Sequence, residues 1–395
     1  MNLKLKRTYF HSRAFAAAIA TALLWTSAAA APVPPQVSSE SYILLDAATG
    51  AVLAERNADL RLPPASLTKI MTAYLGFRAL REGALSFEQQ IRVSRRAWAQ
   101  NVVGSKTFLR AGDDVTVRDI LFGIIVQSGN DASVALAEGL YGDESAFVAA
   151  MNAQAAEFGL QNTRFANAAG LPDEGHYSSA RDVALMSRRT ILDFPEYYPI
   201  YAEREFTYND ITQANRNGLL DAFAGADGIK TGYTKAAGYC LAASAVRGGR
   251  RLIAVVMKTD SASARRRESE KLLAFGFSAF DNRRMFDSSK IRELPVFQGI
   301  EDFVAARPAA SGLITIPRGA ETESVYVPKA TPLTAPISAG DIVGEIEIRV
   351  NGEISQRVPV AALSDLAAAG FWKRALDYVK WNYLGHGQGA AFSEW

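Results

Sequence analysis

Residues 239–258 read YCLAASAVRGGRRLIAVVMK, two apolar runs separated by the pair Gly248–Gly249. Such a pair between apolar runs marks a tight β-hairpin, because the turn needs positive φ at both central positions. Far upstream, residues 41–57, SYILLDAATGAVLAERN, read as another hairpin joined at Ala48-Thr49-Gly50. The chain between the hairpins is mostly helical. Lys69 to Leu80, Val115 to Val126 and Ala132 to Leu140 have helical apolar spacing, and ESAFVAAMNAQAAEFGL (144–160) ends in a glycine stop. After the later hairpin, SARRRESEKLLAFGFSAF (263–280) is amphipathic, with Leu272, Leu273, Phe275 and Phe280 on its apolar side. The order implies an α/β (α+β) domain over 31–285: one antiparallel sheet built from both ends, with a helical lobe inserted.

Residues 286–363 have a different texture. Short β-branched runs are punctuated by Pro and Gly, with an Asn351-Gly352 turn, which predicts a small all-β domain. It holds no catalytic cluster, so a spacer or interaction role is the default. From a Ser364 cap, residues 364–384 repeat Leu366, Phe371, Trp372, Leu376, Val379, Tyr383 and Leu384 at helical spacing, with Lys373, Arg374 and Lys380 nearby. A basic amphipathic helix with aromatic residues suits a membrane surface. A flexible, glycine-bearing tail is expected over 385–395.

Charge and composition remove several functional classes. Among 395 residues, 49% are hydrophobic and the net charge is +2, too small to point to nucleic acid. One cysteine, Cys240, cannot form an internal disulfide, and three scattered histidines do not make a metal site. No glycine-rich phosphate loop is present, and no cofactor is expected. Residues 1–30 place Lys4, Lys6, Arg7 and Arg13 before AFAAAIATALLW and then small residues, the order of a secretory signal peptide cleaved near Ala30–Ala31. The apolar run is about a dozen residues, short of the ~20 that a span needs. An exported protein is expected.

Three short stretches carry the chemistry. PASLTKIMTAYL (64–75) sets Ser66 three residues before Lys69 at a helix start, VQSGNDAS (126–133) holds Ser128 and Asn130, and GIKTGYTKAAGY (228–239) holds Lys230, Thr231, Gly232 and Tyr233. Ser-x-x-Lys alone has an ordinary reading, a helix cap beside a surface lysine. The chemical reading makes Ser66 a nucleophile and Lys69, one turn on, the base that activates it. Burial and a neighbouring cation, Lys230, would lower the lysine pKa from its usual ~10.4.

The three stretches together, in this order, mark β-lactamases and penicillin-binding proteins. The chain resembles the low-molecular-mass penicillin-binding proteins, serine-type D-alanyl-D-alanine carboxypeptidases. ITQANRNGLL, SARRRESEKLL, the β-rich module and the terminal helix are similar as well, so the likeness covers nearly the whole mature chain. The resemblance implies the serine β-lactamase/penicillin-binding protein-like transpeptidase fold and an acyl-enzyme on Ser66, with Lys69 as general base. It implies Ser128 as proton relay and Asn130 as donor to the substrate amide. Lys230 and Thr231 would hold the substrate carboxylate, reinforced by Arg265, with Arg266 and Arg267 as the alternatives beside it in sequence. The oxyanion would meet the N–H groups of Ser66 and Tyr233, beside Gly232.

The implied partners are peptidoglycan stem pentapeptides and β-lactam antibiotics. The implied location is periplasmic, peripheral to the outer face of the cytoplasmic membrane, with a role in wall maturation and cell shape. Tyr233 and Tyr177 stand where the family often has histidine. Glu174 is a poor match to the deacylation base of one β-lactamase class. A β-lactamase or esterase with the same core, and a non-catalytic peptidoglycan-binding protein, are the alternatives.

Overall fold

The computed structural model describes residues 32–102, 104–383 and Trp395; the expected signal peptide and most of the expected tail lie outside them. Strands β1 (Ser41–Asp46) and β2 (Val52–Arg56) form the first hairpin. Then come α1 (Lys69–Arg81), β3 (Gln90–Arg92), α2 (Arg95–Ala99), β4 (Asp114–Thr116), α3 (Val117–Ile125), α4 (Asn130–Tyr141), α5 (Glu144–Glu157) and α6 (Ala180–Asp193). After a ribbon of β5 (Glu205–Tyr208) and β6 (Ile211–Ala214) and the short α7 (Leu219–Ala222), the chain returns to the sheet. It does so through β7 (Ala226–Thr234), β8 (Gly238–Arg247) and β9 (Arg250–Thr259), followed by α8 (Ala262–Ala279).

The sheet order is β2-β1-β9-β8-β7, with every neighbouring pair antiparallel. Gly248 and Gly249, at φ 56° and 76°, make the two-residue turn between Arg247 and Arg250. Its central strands are apolar on both faces because both faces are covered. Ile43, Leu45, Ile253, Val255 and Met257 pack with the helical lobe, while Leu44, Leu252, Ala254 and Val256 pack with Leu272 and Leu273 of α8. The period-two alternation of a strand sends successive side chains to opposite cores. The antiparallel sheet with an inserted helical lobe is therefore the one the sequence implies.

The second module starts earlier than expected. Strand β10 (Phe280–Arg284) pairs with β13 (Leu313–Pro317), so the boundary falls at Phe280 rather than after residue 285. Strands β11 (Arg292–Pro295), β12 (Phe303–Pro308), β14 (Thr322–Pro328), β15 (Ile342–Val350) and β16 (Glu353–Ala362) form a separate sheet ordered β11-β12-β16-β15-β14. Asn351 and Gly352, both at positive φ, turn β15 into β16. The terminal helix, α9 (Phe371–Tyr383), does not begin at Ser364. Residues 363–370 belong to the β module: Leu366 is buried in its core and bridges Ile337, and Ala368 bridges Gly299. Burial of that leucine outweighs a local capping preference.

Candidate active site

Ser66 lies in a 3-10 turn (Ala65–Thr68) that runs into α1. The residue before it, Ala65, holds φ 48°, a left-handed conformation that alanine rarely adopts. The cap positions of this turn and of α1 are Pro64 and Thr68, not Ser66, so the ordinary reading of Ser66 as a helix cap is set aside. Lys69 is not a surface charge either; it is 1% exposed. Its Nζ lies 3.1 Å from Ser66 Oγ, 2.8 Å from Asn130 Oδ1 and 2.6 Å from the carbonyl oxygen of Ala169.

Burial lowers the Lys69 pKa to about 7; the Asp131 carboxylate opposes the shift and the Arg216 guanidinium adds to it. A neutral amine therefore exists at ordinary pH. Its two N–H groups match Asn130 Oδ1 and the Ala169 carbonyl, which leaves the lone pair for the Ser66 hydroxyl. That is the arrangement a general base needs.

Each partner of Lys69 is held from a different part of the chain. Asn130 opens α4, where its N–H donates to the Ser105 carbonyl (2.9 Å). Next to it, the buried Asp131 carboxylate accepts from the N–H groups of Thr107 and Leu109. Ser128, also buried, sits in the turn before Asn130 at φ 61°. Ala169 lies on a loop whose Asn167 Oδ1 accepts from the N–H groups of Ala169, Gly170 and Leu171. This loop is fastened to the Ser66 turn by His176, whose Nε2 is 2.8 Å from Thr68 Oγ1. His176 Nδ1 accepts from the Ala166 N–H (3.3 Å), so the proton is assigned to Nε2, which donates to Thr68. Burial drops the His176 pKa to about 4, which keeps the ring neutral.

The third wall is β7, an edge strand of the sheet. Lys230 and Thr231 are buried on it, and Tyr233 is exposed with its ring 4.3 Å from that of Tyr239. At Gly232 a Cβ would stand 2.9 Å from the Pro64 carbonyl oxygen and 3.3 Å from the Ser66 nitrogen, so only glycine lets the strand approach the nucleophile this closely. Lys230 donates to the Thr231 carbonyl (3.2 Å). Burial pushes the Lys230 pKa well below its usual range, and the charges of Lys69, Arg216 and Arg265 push in the same direction.

Of the three neighbouring arginines, Arg265 reaches β7. Its guanidinium donates to the Gly232 carbonyl (3.1 Å), whereas Arg266 pairs with Glu270. Arg216, in the ITQANRNGLL stretch, is a site residue that the sequence reading passed over. Only its charge on Lys69, Lys230 and Arg265 reveals it. Tyr177 lies beneath the Arg61 guanidinium, and Glu174 stands exposed at a cavity rim. Among the described residues no group of His, Cys, Asp or Glu could hold a metal ion.

A nucleophile, a buried amine and a cationic strand edge on this fold match a known family. The profile described as D-alanyl-D-alanine carboxypeptidase, Peptidase_S11, matches residues 27–261. The chain belongs to that family. A second profile, the C-terminal domain of penicillin-binding protein 5, matches residues 280–368 of this carboxypeptidase. D-alanyl-D-alanine carboxypeptidase DacA of Escherichia coli K12 is 41% identical over 357 residues, covering 88% of this chain and 89% of the relative. DacF of Bacillus subtilis is 38% identical and covers 84% and 87%. Among solved structures, penicillin-binding protein 5 of Haemophilus influenzae superposes with a TM-score of 0.82 at 40% identity, over 85% of this chain and 99% of that one. The carboxypeptidase is thus a serine hydrolase of the penicillin-binding protein 5 type.

Proposed function

We propose that the carboxypeptidase removes the terminal D-alanine from peptidoglycan stem pentapeptides through a Ser66 acyl-enzyme, and that β-lactams acylate the same serine. The observation that carries this reading is the buried Lys69 amine on Ser66 beside the cationic end of β7. The substrate's terminal carboxylate would lie at Lys230, Thr231 and Arg265, with the scissile carbonyl over Ser66. Lys69 takes the hydroxyl proton as Ser66 Oγ bonds to the carbonyl carbon. The oxyanion is met by the Ser66 and Tyr233 N–H groups. The C–N bond then breaks, and Ser128 relays a proton to the departing D-alanine amine. Asn130 donates to the acyl chain's amide carbonyl through its Nδ2. Water hydrolyses the ester and returns the proton to Ser66.

Lys230→Ala tests the carboxylate handle. The variant is expected to lose about 100-fold or more in kcat/KM on peptides with a free C-terminus, a charge-assisted contact in a buried site. A small thioester lacking a carboxylate should lose far less. Equal losses on both would reduce Lys230 to a role in setting the Lys69 pKa.

The proposed setting is the periplasm, in wall maturation and cell shape, with α9 against the outer face of the cytoplasmic membrane. No helix among the described residues is long and apolar enough to cross a membrane. On one side α9 is bound to the β module. Lys373 donates to the Gly299 carbonyl and pairs with Asp302, Asp377 accepts from the Gln298 N–H, and Trp381 packs on Phe297. Lys373 is therefore not free for lipid, contrary to its expected role; Arg374 and Lys380 are exposed.

The other side presents Phe371, Trp372, Leu376 and Val379 outward, 45–83% exposed. Full burial of each would contribute ~1.5–3 kcal/mol, and partial insertion of several supports reversible association. Because Leu366 belongs to the β module, the informative truncation ends at Gly370 rather than Ala362. That chain should leave the membrane fraction and still release D-alanine from a soluble peptide at close to the full rate. Retention on membranes would sink the tether.

A further inference from the structure

The Ser66 turn and the start of α1 grip a single loop. Thr68 Oγ1 lies 2.8 Å from His176 Nε2, Lys69 Nζ donates to the Ala169 carbonyl (2.6 Å), and Thr72 Oγ1 donates to the Ala168 carbonyl (2.7 Å). The same loop is also held by a carboxylate that the reaction as derived leaves unused. Glu144, in the first turn of α5, accepts the Ala168 N–H through Oε1 (3.0 Å) and pairs with Arg96 through Oε2 (2.7 Å). We propose that Glu144 is a positioning residue for the reaction: through the Ala168 N–H it fixes the Ala169 carbonyl, and thereby keeps the Lys69 amine dry and aimed at Ser66. The proposal rests on the Ser66 acyl-enzyme reading above.

An acidic residue in the first turn of a helix has an everyday use, since it meets the positive end of the helix dipole. That use needs no burial, and Asp143 already caps α5 by accepting the Ala146 N–H. Glu144 is instead only 9% exposed, and its Oε1 takes an N–H from 24 positions further along the chain. Burying a carboxylate is unfavourable unless its oxygens are matched. Here the loop matches one oxygen, and the Arg96 guanidinium on the surface of α2 matches the other.

The grip passes along three peptide groups. Ala168 has its N–H on Glu144 and its carbonyl on Thr72, and the Ala169 and Gly170 N–H groups both meet Asn167 Oδ1. The carbonyl that holds Lys69 shares its peptide group with the Gly170 N–H, so it cannot rotate without giving up that bond. Burial is the largest cause of the low Lys69 pKa, so a loop that slackens and admits water raises that pKa toward its usual value. Asp131 on α4 and Arg216 act on Lys69 by charge, and Lys69 in turn acts on Lys230 of β7 and on His176. Glu144 is not among the charges acting on Lys69, so a change in the lysine's titration on substituting Glu144 comes through the loop.

The test measures β-lactam acylation against pH in the intact protein, in Glu144→Leu and in Glu144→Gln. Leucine removes the acceptor, and the midpoint should move up from about 7 by about one pH unit. At pH 7 the neutral fraction of Lys69 then falls from about a half to about a tenth, a loss of about fivefold in acylation rate. The peptide KM should stay within about twofold while kcat falls, because the carboxylate handle on β7 is untouched. Glutamine keeps an oxygen for the Ala168 N–H and should restore the midpoint of the unaltered protein. Midpoints and rate constants are read from the molecules that react, so a loss of folded fraction does not imitate them. Should Glu144→Leu not fold, Glu144→Ser, whose hydroxyl is too short to reach the Ala168 N–H, carries the same expectation. An unmoved midpoint in the leucine or serine variant overturns the proposal. A glutamine variant that behaves like the leucine one assigns the effect to the Arg96 pair and overturns the route through Ala168. If the unaltered protein forms no adduct and releases no D-alanine, the Ser66 reading fails and this role with it.

Discussion

Lys69→Arg is expected to lower both β-lactam acylation and D-alanine release by roughly 10³-fold, within the range for losing a general base. The amine is enclosed by Ser66, Asn130 and the Ala169 carbonyl, and burial brings its pKa to about 7. Arginine keeps the charge but stays protonated at any workable pH, so it has no lone pair to accept the Ser66 proton. In the unaltered protein only the neutral amine is the base, so acylation should rise with pH through about 7 and level off above it.

The same shift has a thermodynamic side. The folded pKa lies below the unfolded value of 10.5, so between about 7 and 10.5 the unfolded chain binds more protons. The cost of burying this lysine is then full below pH 7 and declines as pH rises across that window. Denaturation of the unaltered protein and of Lys69→Met, measured at several pH values, would show the lysine-specific slope. Near-normal acylation by the arginine variant would mean that Lys69 acts only through its charge.

Ser66→Ala should abolish the covalent penicillin adduct and D-alanine release together, while the protein stays folded. Ser66 caps neither its own turn nor α1, and Lys69 retains Asn130 and the Ala169 carbonyl without the hydroxyl. Intact mass after incubation with a penicillin, followed by peptide mapping, reads the outcome directly. An adduct on the alanine variant would place the nucleophile elsewhere.

Much of the sheet was legible because its signals are local. Twin glycines at 248–249 and the apolar runs around them specify a hairpin whatever surrounds it, and Asn351-Gly352 does the same in the β module. The site was legible where side-chain types recur in three short stretches. It was not legible where the working group is a backbone atom or a distant charge. The Ala169 carbonyl on Lys69 has no side chain to announce it. Arg216 reaches the site through the fold and through no motif of its own. The start of α9 was misplaced for a related reason. Ser364 is a sound cap by local rules, but Leu366 fills the β-module core and holds residues 363–370 out of the helix.

The free edge of β7 has a consequence for solubility. An unpaired strand rim recruits other chains, and natural sheets blunt such rims with charge, bulges or covering segments. Here the rim cannot be sealed without closing the enzyme. The register slips between Ala226 and Gly228, Lys230 is buried along the strand, and the Pro64–Ser66 turn presses on Gly232. These features leave no long flat margin for a second sheet, and on the proposed function the room that remains is the substrate's. Access for a substrate and resistance to self-association are thus obtained from the same few residues.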